Sequence, residues 1–296
     1  MNNFTLKQLR YLVALDRHGH FGRAADACAV TQPALSIQIK ELETSLGTPL
    51  VERSPRGLRM TPVGENFVMR AKDILRAVAE LDDLARVSKG PLSGRLRLGV
   101  IPTVAPYLLP EILKKLAANF PTLDVIPRET VTKTLLKGLR EYELDAAIVA
   151  LPVSEPLLEE FLLFEEEFVL VRHGREAQMP LPSPSELLKM RLLLLEEGHC
   201  FRDQALSYCN VGGVKARDVM EGSSLSTLVR MVGAGLGMTL IPEMAVPFEV
   251  QSESVEVTTF ARPAPSRKVG MIWRKSNPLA PQLFELAKTL QAHQER

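Results

Sequence analysis

The sequence predicts an α/β protein with a winged helix-turn-helix at its N-terminus, a long dimerisation helix and a mostly parallel sheet behind it. Three observations carry this. Residues 5–46 hold three short apolar stripes at helical spacing, and residues 67–85 hold an apolar seam in alternating steps of four and three. From residue 95 onward, short apolar strands alternate with amphipathic helices.

Leu6, Leu9, Leu12 and Val13 form the first stripe, and Phe21, Ala24, Ala25 and Cys28 the second. After a turn at Val30 and Thr31, Leu35, Ile39, Leu42 and Leu46 repeat at i, i+4, i+7 and i+11. That stripe leaves Pro33, Ser36, Ile37 and Lys40 on the opposite face, with Gln32 at the helix start. Two short helices crossing through a tight turn, the second presenting small and polar groups, form a helix-turn-helix. On duplex DNA, Gln32 suits a bidentate contact to adenine, Ser36 a base or phosphate, and Lys40 and Arg53 phosphates. An exposed Ile37 suits a thymine methyl.

Residues 49–60 read as a hairpin whose turn is Ser54-Pro55-Arg56-Gly57. Arg53, Arg56 and Arg59 lie there with no acid between them, suited to phosphate or minor-groove contact. Thr61-Pro62 opens a helix with a capping hydroxyl followed by proline. Phe67, Ala71, Ile74, Val78, Leu81 and Ala85 then make a coiled-coil seam, as expected where paired half-sites are read. Residues 89–94, with two glycines and a proline, break it as a linker.

Beyond the linker, strands are expected at 95–100, 123–128 and 144–150, with helices at 106–118 and 132–140. Further strands are expected at 166–172, 191–195, 238–241 and 269–274, with a last helix near 281–293. A chain of 296 residues accommodates two or three such domains. With a net charge of +1, any nucleic-acid contact depends on a local basic patch. Three cysteines are too few for a disulfide framework, and no secretory leader opens the chain. The expectation is a cytoplasmic protein without membrane contact, in a compartment where disulfides are transient or sensory. No spacing of metal ligands occurs, including around His18 and His20, and no cofactor is implied. Cys28, among alanines on a short helix, is expected to pack.

Cys200 and Cys209 stand apart from this background. If the segment between them is helical, nine steps separate them by about 13 Å and half a turn. A disulfide needs Cα atoms within about 7 Å. Such a bond requires the segment to be remodelled first, which is the requirement for a redox switch.

These residues resemble the LysR-type transcriptional regulators over essentially the whole chain. The carrying motifs are Leu6-Lys7-Gln8-Leu9-Arg10-Tyr11, the stretch from Ala24-Ala25 to Thr31-Gln32-Pro33-Ala34-Leu35-Ser36, Leu42-Glu43-Thr44-Ser45-Leu46-Gly47, and Leu50-Val51-Glu52-Arg53 leading to Thr61-Pro62-Val63-Gly64. Ile101-Pro102-Thr103-Val104-Ala105-Pro106-Tyr107-Leu108-Leu109-Pro110 and Gly198-His199-Cys200 with Cys209 narrow the resemblance to the peroxide-sensing members. Val51 stands where the family usually has phenylalanine, and Ile37 where many relatives carry arginine.

The resemblance implies a DNA-binding domain over 1–61, a linker helix over 62–91 and a regulatory domain over 92–296. The last would hold two subdomains like those of periplasmic binding proteins, the first over 92–165 and 269–296 and the second over 166–268. It implies dimers paired into a tetramer, acting on promoter DNA and RNA polymerase, with hydrogen peroxide as signal and a thiol reductant for reset. Cys200 would be the peroxide-reactive thiol and Cys209 the resolving one, with Thr103, Thr132, His199 and Arg267 around the peroxide. The protein would be a regulator and not an enzyme.

Chemistry at Cys200 needs a thiolate, which neighbours must favour. His199, Arg202 and a helix N-terminus reached through Gly198 are the expected sources, with Asp203 an orienting partner of Arg202. The departing oxygen also needs a donor, for which Thr103, just past a strand's carboxyl end, is suited. Three other readings compete, the weakest being a metabolite-binding module without regulation, against which the basic wing argues. Of the remaining two, one is a metabolite sensor of the same family, binding a carboxylate near Thr103, Thr132 and Ser223-Ser224. The other is a thiol peroxidase fused to a DNA-binding head, which would destroy peroxide in excess of its own thiols.

Overall fold

A capping box starts the first helix: the Thr5 hydroxyl accepts from the Gln8 amide while the Gln8 side chain accepts from the Thr5 amide. The structure, a computed structural model, describes residues 4–54, 57–87, 92–187, 190–209, 220–251 and 254–291. Helix α1 (Leu6–His18) ends at Gly19, and α2 (Phe21–Ala27) and α3 (Gln32–Leu46) follow. Leu35, Ile39 and Leu42 of α3 are buried against Leu12, Leu15 and Ala24, as their spacing requires. Strands β1 (Val51–Ser54) and β2 (Gly57–Met60) pair antiparallel, Val51 opposite Met60.

The Thr61 hydroxyl then accepts from the Gly64 amide at 3.0 Å and opens α4 (Pro62–Val87). A side chain at position 64 would place Cβ 2.0 Å from the Leu50 carbonyl oxygen, so only glycine lets α4 lie against the base of the hairpin. The expected seam along α4 divides. Phe67 and Val68 pack on the head's own core and Ala71 is buried, whereas Ile74 and Leu81 stay 41% and 65% exposed. The chain forms two compact units, Met1–Ala85 and Arg86–Arg296. The expected linker at 89–94 lies outside the described residues up to position 91, and Leu92 is already buried in the second unit.

In that unit the elements run β3 (Gly94–Val100), α5 (Ala105–Asn119), β4 (Leu123–Glu129), α6 (Thr132–Arg140), β5 (Ala146–Leu151) and β6 (Leu158–His173). They continue as α7 (Pro184–Leu187), β7 (Leu192–Leu195), α8 (Cys200–Cys209), β8 (Met220–Gly222), α9 (Leu225–Gly233) and β9 (Met238–Pro242). The last are α10 (Val246–Glu249), β10 (Val255–Thr259), β11 (Ser266–Arg274) and α11 (Ala280–Gln291). Strand order is β4-β3-β5-β11-β6-β9-β7-β8, with β10 on β6.

The sheet is not mostly parallel. Among the described residues four pairings are parallel and four antiparallel, every antiparallel one involving β6 or β11. β6 carries side chains into two separate cores, and β11 starts at their seam and feeds the first. One core gathers side chains from 92–163 and 269–290, and the other from 168–260. β6 begins eight residues before the expected 166 because its first half, broken by Glu159, Glu160 and Glu165, pairs β11. α7, β8, α9, α10 and β10 are additional to the expected elements.

Candidate functional site: a thiol between two cores, and a DNA-facing helix

Parallel pairing of β3 with β4, Val100 opposite Glu129, brings their carboxyl ends to one edge of the sheet. The Thr130 amide donates to the Val100 carbonyl at 3.2 Å and fixes the two following turns together. Thr103 follows β3 and Thr132 opens α6 after β4, so both hydroxyls arrive where α/β sheets hold ligands.

Thr103 is buried and held by Arg267 of β11, whose Nη1 donates to Thr103 Oγ1 at 2.7 Å and whose Nη2 donates to its carbonyl at 3.1 Å. Arg267 is itself buried, with Nε 2.7 Å from Glu166 Oε1, and Glu166 Oε2 accepts from the Met244 amide at 3.4 Å. Burial pushes the Glu166 carboxyl up, against the opposing pull of Arg267. Because Thr103 Oγ1 accepts from a guanidinium, which cannot accept in return, the threonine proton remains available to donate elsewhere. Thr132 Oγ1 is buried and has no hydrogen-bond partner among the described residues.

The sulfur is delivered by α8. Gly198 takes φ 99°, a left-handed backbone that other residues resist, and the helix starts two residues later at Cys200. Cys200 is half-buried and packs against the first core, while the next residue, Phe201, belongs to the second. The Phe201 ring meets Phe168 at 4.8 Å and the Arg267 guanidinium at 5.6 Å. Burial holds the His199 imidazole below its ordinary range, with Glu196 pulling the other way. At neutral pH His199 is therefore a neutral proton acceptor, where the sequence had pointed to an electrostatic neighbour.

Arg202 is used differently from the expectation. Its Nη1 donates to the Leu195 carbonyl at 2.9 Å and to Glu221 Oε1 at 2.6 Å, pinning α8 to β7 and β8. Its carboxylate partner is Glu221 and not Asp203, which is exposed. A partner on β8, 19 residues away on a strand the sequence did not reveal, was not readable. Gln204, missed in the sequence, lies one turn after Cys200 with a buried Oε1 that has no partner among the described residues. A glutamine at i+4 from Cys200 was the signal. Cys209 closes α8, its side chain outside the described residues.

Cys28 packs on the head core, where burial pushes its thiol up. The Ser224 hydroxyl is occupied as the cap of α9, accepting from the Thr227 amide. Among the described residues no group of three or more His, Cys, Asp or Glu is placed to hold a metal ion, and no helix is long and apolar enough to cross a membrane.

On the head, Thr31, Gln32, Pro33, Ser36, Ile37 and Lys40 are all exposed along one side of α3, Ile37 at 56%. Thr31 makes no side-chain cap bond, and Arg53 lies on β1 opposite Leu58. Arg56 lies outside the described residues.

Residues 6–65 match the bacterial regulatory helix-turn-helix proteins of the lysR family, and residues 89–295 match the LysR substrate binding domain. The chain is 42% identical over 291 residues to a probable hydrogen peroxide-inducible genes activator of Streptomyces viridosporus, covering 97% of this chain and 93% of that one. It is 39% identical to the DNA-binding transcriptional dual regulator OxyR of Escherichia coli K12, covering 98% and 96%. An H2O2-bound cysteine-to-serine variant of Corynebacterium glutamicum OxyR superposes with a TM-score of 0.67 at 36% identity, covering 99% of this chain and 94% of that one. With a helix-turn-helix head, a two-core regulatory unit and a cysteine at the seam between those cores, the chain belongs to the LysR family of transcriptional regulators, among its redox-sensing OxyR-type members.

Proposed function

We propose that this protein senses hydrogen peroxide at Cys200 and reports it to promoter DNA by forming a Cys200–Cys209 disulfide. The observation that carries this is α8 itself. One continuous helix has a cysteine at each end, and the first of them lies between two cores.

The Cys200 thiolate attacks one peroxide oxygen, the O–O bond breaks, and the other oxygen leaves as hydroxide that takes up a proton to become water. Thr103, oriented by Arg267, donates to the departing oxygen, and the Thr132 hydroxyl holds the peroxide. Neutral His199 accepts the thiol proton and returns it to the leaving group. The sulfenic acid then condenses with the Cys209 thiol, releasing a second water. With the helix ends about 13 Å apart, closure has to unwind α8. Arg202 holds the helix in register for the first step and Asp203 stays in solvent. Reset to two thiols requires a thiol reductant.

Gln32, Ser36 and Ile37 face base edges, while Thr31, Pro33, Lys40, Arg53 and Arg56 approach the backbone. The exposed Ile74 and Leu81 face of α4 pairs with a second copy, and two dimers make a tetramer that reaches paired half-sites and RNA polymerase in the cytoplasm. The domain assignment follows, with 1–61 reading DNA, 62–91 dimerising and 92–296 sensing.

Mass spectrometry of the reduced protein titrated with hydrogen peroxide tests the reading. About one equivalent should convert Cys200 and Cys209 into a mapped disulfide. Unchanged thiols would refute it, and continued peroxide consumption with added reductant would mark an enzyme.

A further inference from the structure

Tyr107 stands on α5, one turn past Thr103, yet its ring packs on the second core. Its hydroxyl donates to Glu249 Oε1 on α10 at 2.7 Å, and Ser226 of α9 donates to the other carboxylate oxygen at 2.6 Å. The ring also meets Phe248 at 5.5 Å. One carboxylate thus takes hydroxyl protons from both sides of the seam between the cores. Charge-assisted bonds of this length are the strong ones. Burial and the neighbouring carboxylate push the Tyr107 hydroxyl far above its ordinary range, so it stays a donor at any working pH.

The turn that carries Tyr107 also carries the site. Amide bonds from Val104 to the Ile101 carbonyl, and from Tyr107 and Leu108 to the Val104 carbonyl, make residues 101–108 one rigid turn. Moving Tyr107 moves Thr103, whose distance from Cys200 matters because Cys200 sits on an element of the other subdomain. Arg267 ties Thr103 to the crossing strands, but it does not tie α5 to α9 and α10.

We propose that Tyr107, through Glu249 and Ser226, is a positioning residue for the thiol reaction, clasping the first subdomain to the second so that Thr103 faces Cys200. None of the three touches the sulfur. This rests on the peroxide reading, and a displacement of about 1 Å between reacting groups is enough to slow such chemistry strongly.

The test measures two rates on full-length reduced protein carrying Cys209→Ser, so that the sulfenic acid accumulates. One is Cys200 oxidation by hydrogen peroxide, trapped with a dimedone probe, and the other is Cys200 alkylation by iodoacetamide. Tyr107→Phe should slow oxidation about tenfold and leave alkylation no slower than in the parent. Ser226→Ala should give a smaller loss, and Tyr107→Phe combined with Glu249→Gln should be no worse than Tyr107→Phe alone, since the three act as one unit. Oxidation of Tyr107→Phe at the parental rate overturns the clasp, as does equal slowing of both reactions, which reports a change in the thiol. A parent inert to peroxide takes down the sensing reading and the clasp with it.

Discussion

Thr103 Oγ1 accepts from Arg267 Nη1 at 2.7 Å, which leaves its proton for an acceptor other than the guanidinium; in the proposed mechanism that acceptor is the departing peroxide oxygen. His199 has a second consequence, for pH. Burial lowers its affinity for protons in the folded state, so the unfolded chain binds more protons between the folded value and about 6.5, and stability rises with pH across that window. Acidification through 6.5 should therefore weaken the regulatory unit. Denaturant midpoints of the reduced protein should fall between pH 7.5 and 5.5, and His199→Gln should flatten that slope. An equal slope in both proteins would show that burial does not govern this imidazole. The placement of Thr103 after a strand, of Cys200 and Cys209 on one helix and of a turn at Gly198 was legible in the sequence because each sits in a short local pattern. The Arg267–Thr103 bond was not, since 164 residues separate its partners and only the closed sheet brings them together.

Among the elements, α3 and α4 show how far periodicity reaches. The α3 stripe reports burial faithfully because the helix packs on neighbours within the same short segment. On α4 the same kind of stripe meets two different surfaces, its first turns on the head core and Ile74 and Leu81 exposed, and spacing cannot distinguish an intramolecular from an intermolecular partner. A charge on the outer portion should separate them. Leu81→Glu should leave the folded head intact, as judged by circular dichroism, while shifting sedimentation toward monomer and abolishing binding to paired half-sites at concentrations where the wild type is bound. Undiminished dimer would place the partner surface elsewhere. The first half of β6 escaped the sequence reading because Glu159, Glu160 and Glu165 interrupt it. Cross-strand cations account for part of that, with Lys268 3.1 Å from Glu165.

For the whole molecule, alternation of strand and helix gave the α/β class, but the sheet's mixed direction arises from β6, which runs through both cores, and from β11, which pairs with it. Long antiparallel crossings look like any other strand in sequence. Because β6 is continuous through both cores, the proposed rearrangement of α8 has a backbone route to each. Footprints of the reduced and disulfide forms on the same promoter should differ in the spacing of protected half-sites. Coincident footprints would mean that oxidation acts without moving the heads. The adjacency of Cys200 and Phe201 makes such transmission short. Their Cα atoms are about 3.8 Å apart, yet one side chain is rooted in each half of the regulatory unit. In the proposed mechanism an oxygen atom added to that sulfur lands on a residue pair that both halves already share, so its effect needs no long chain of intervening contacts to reach either.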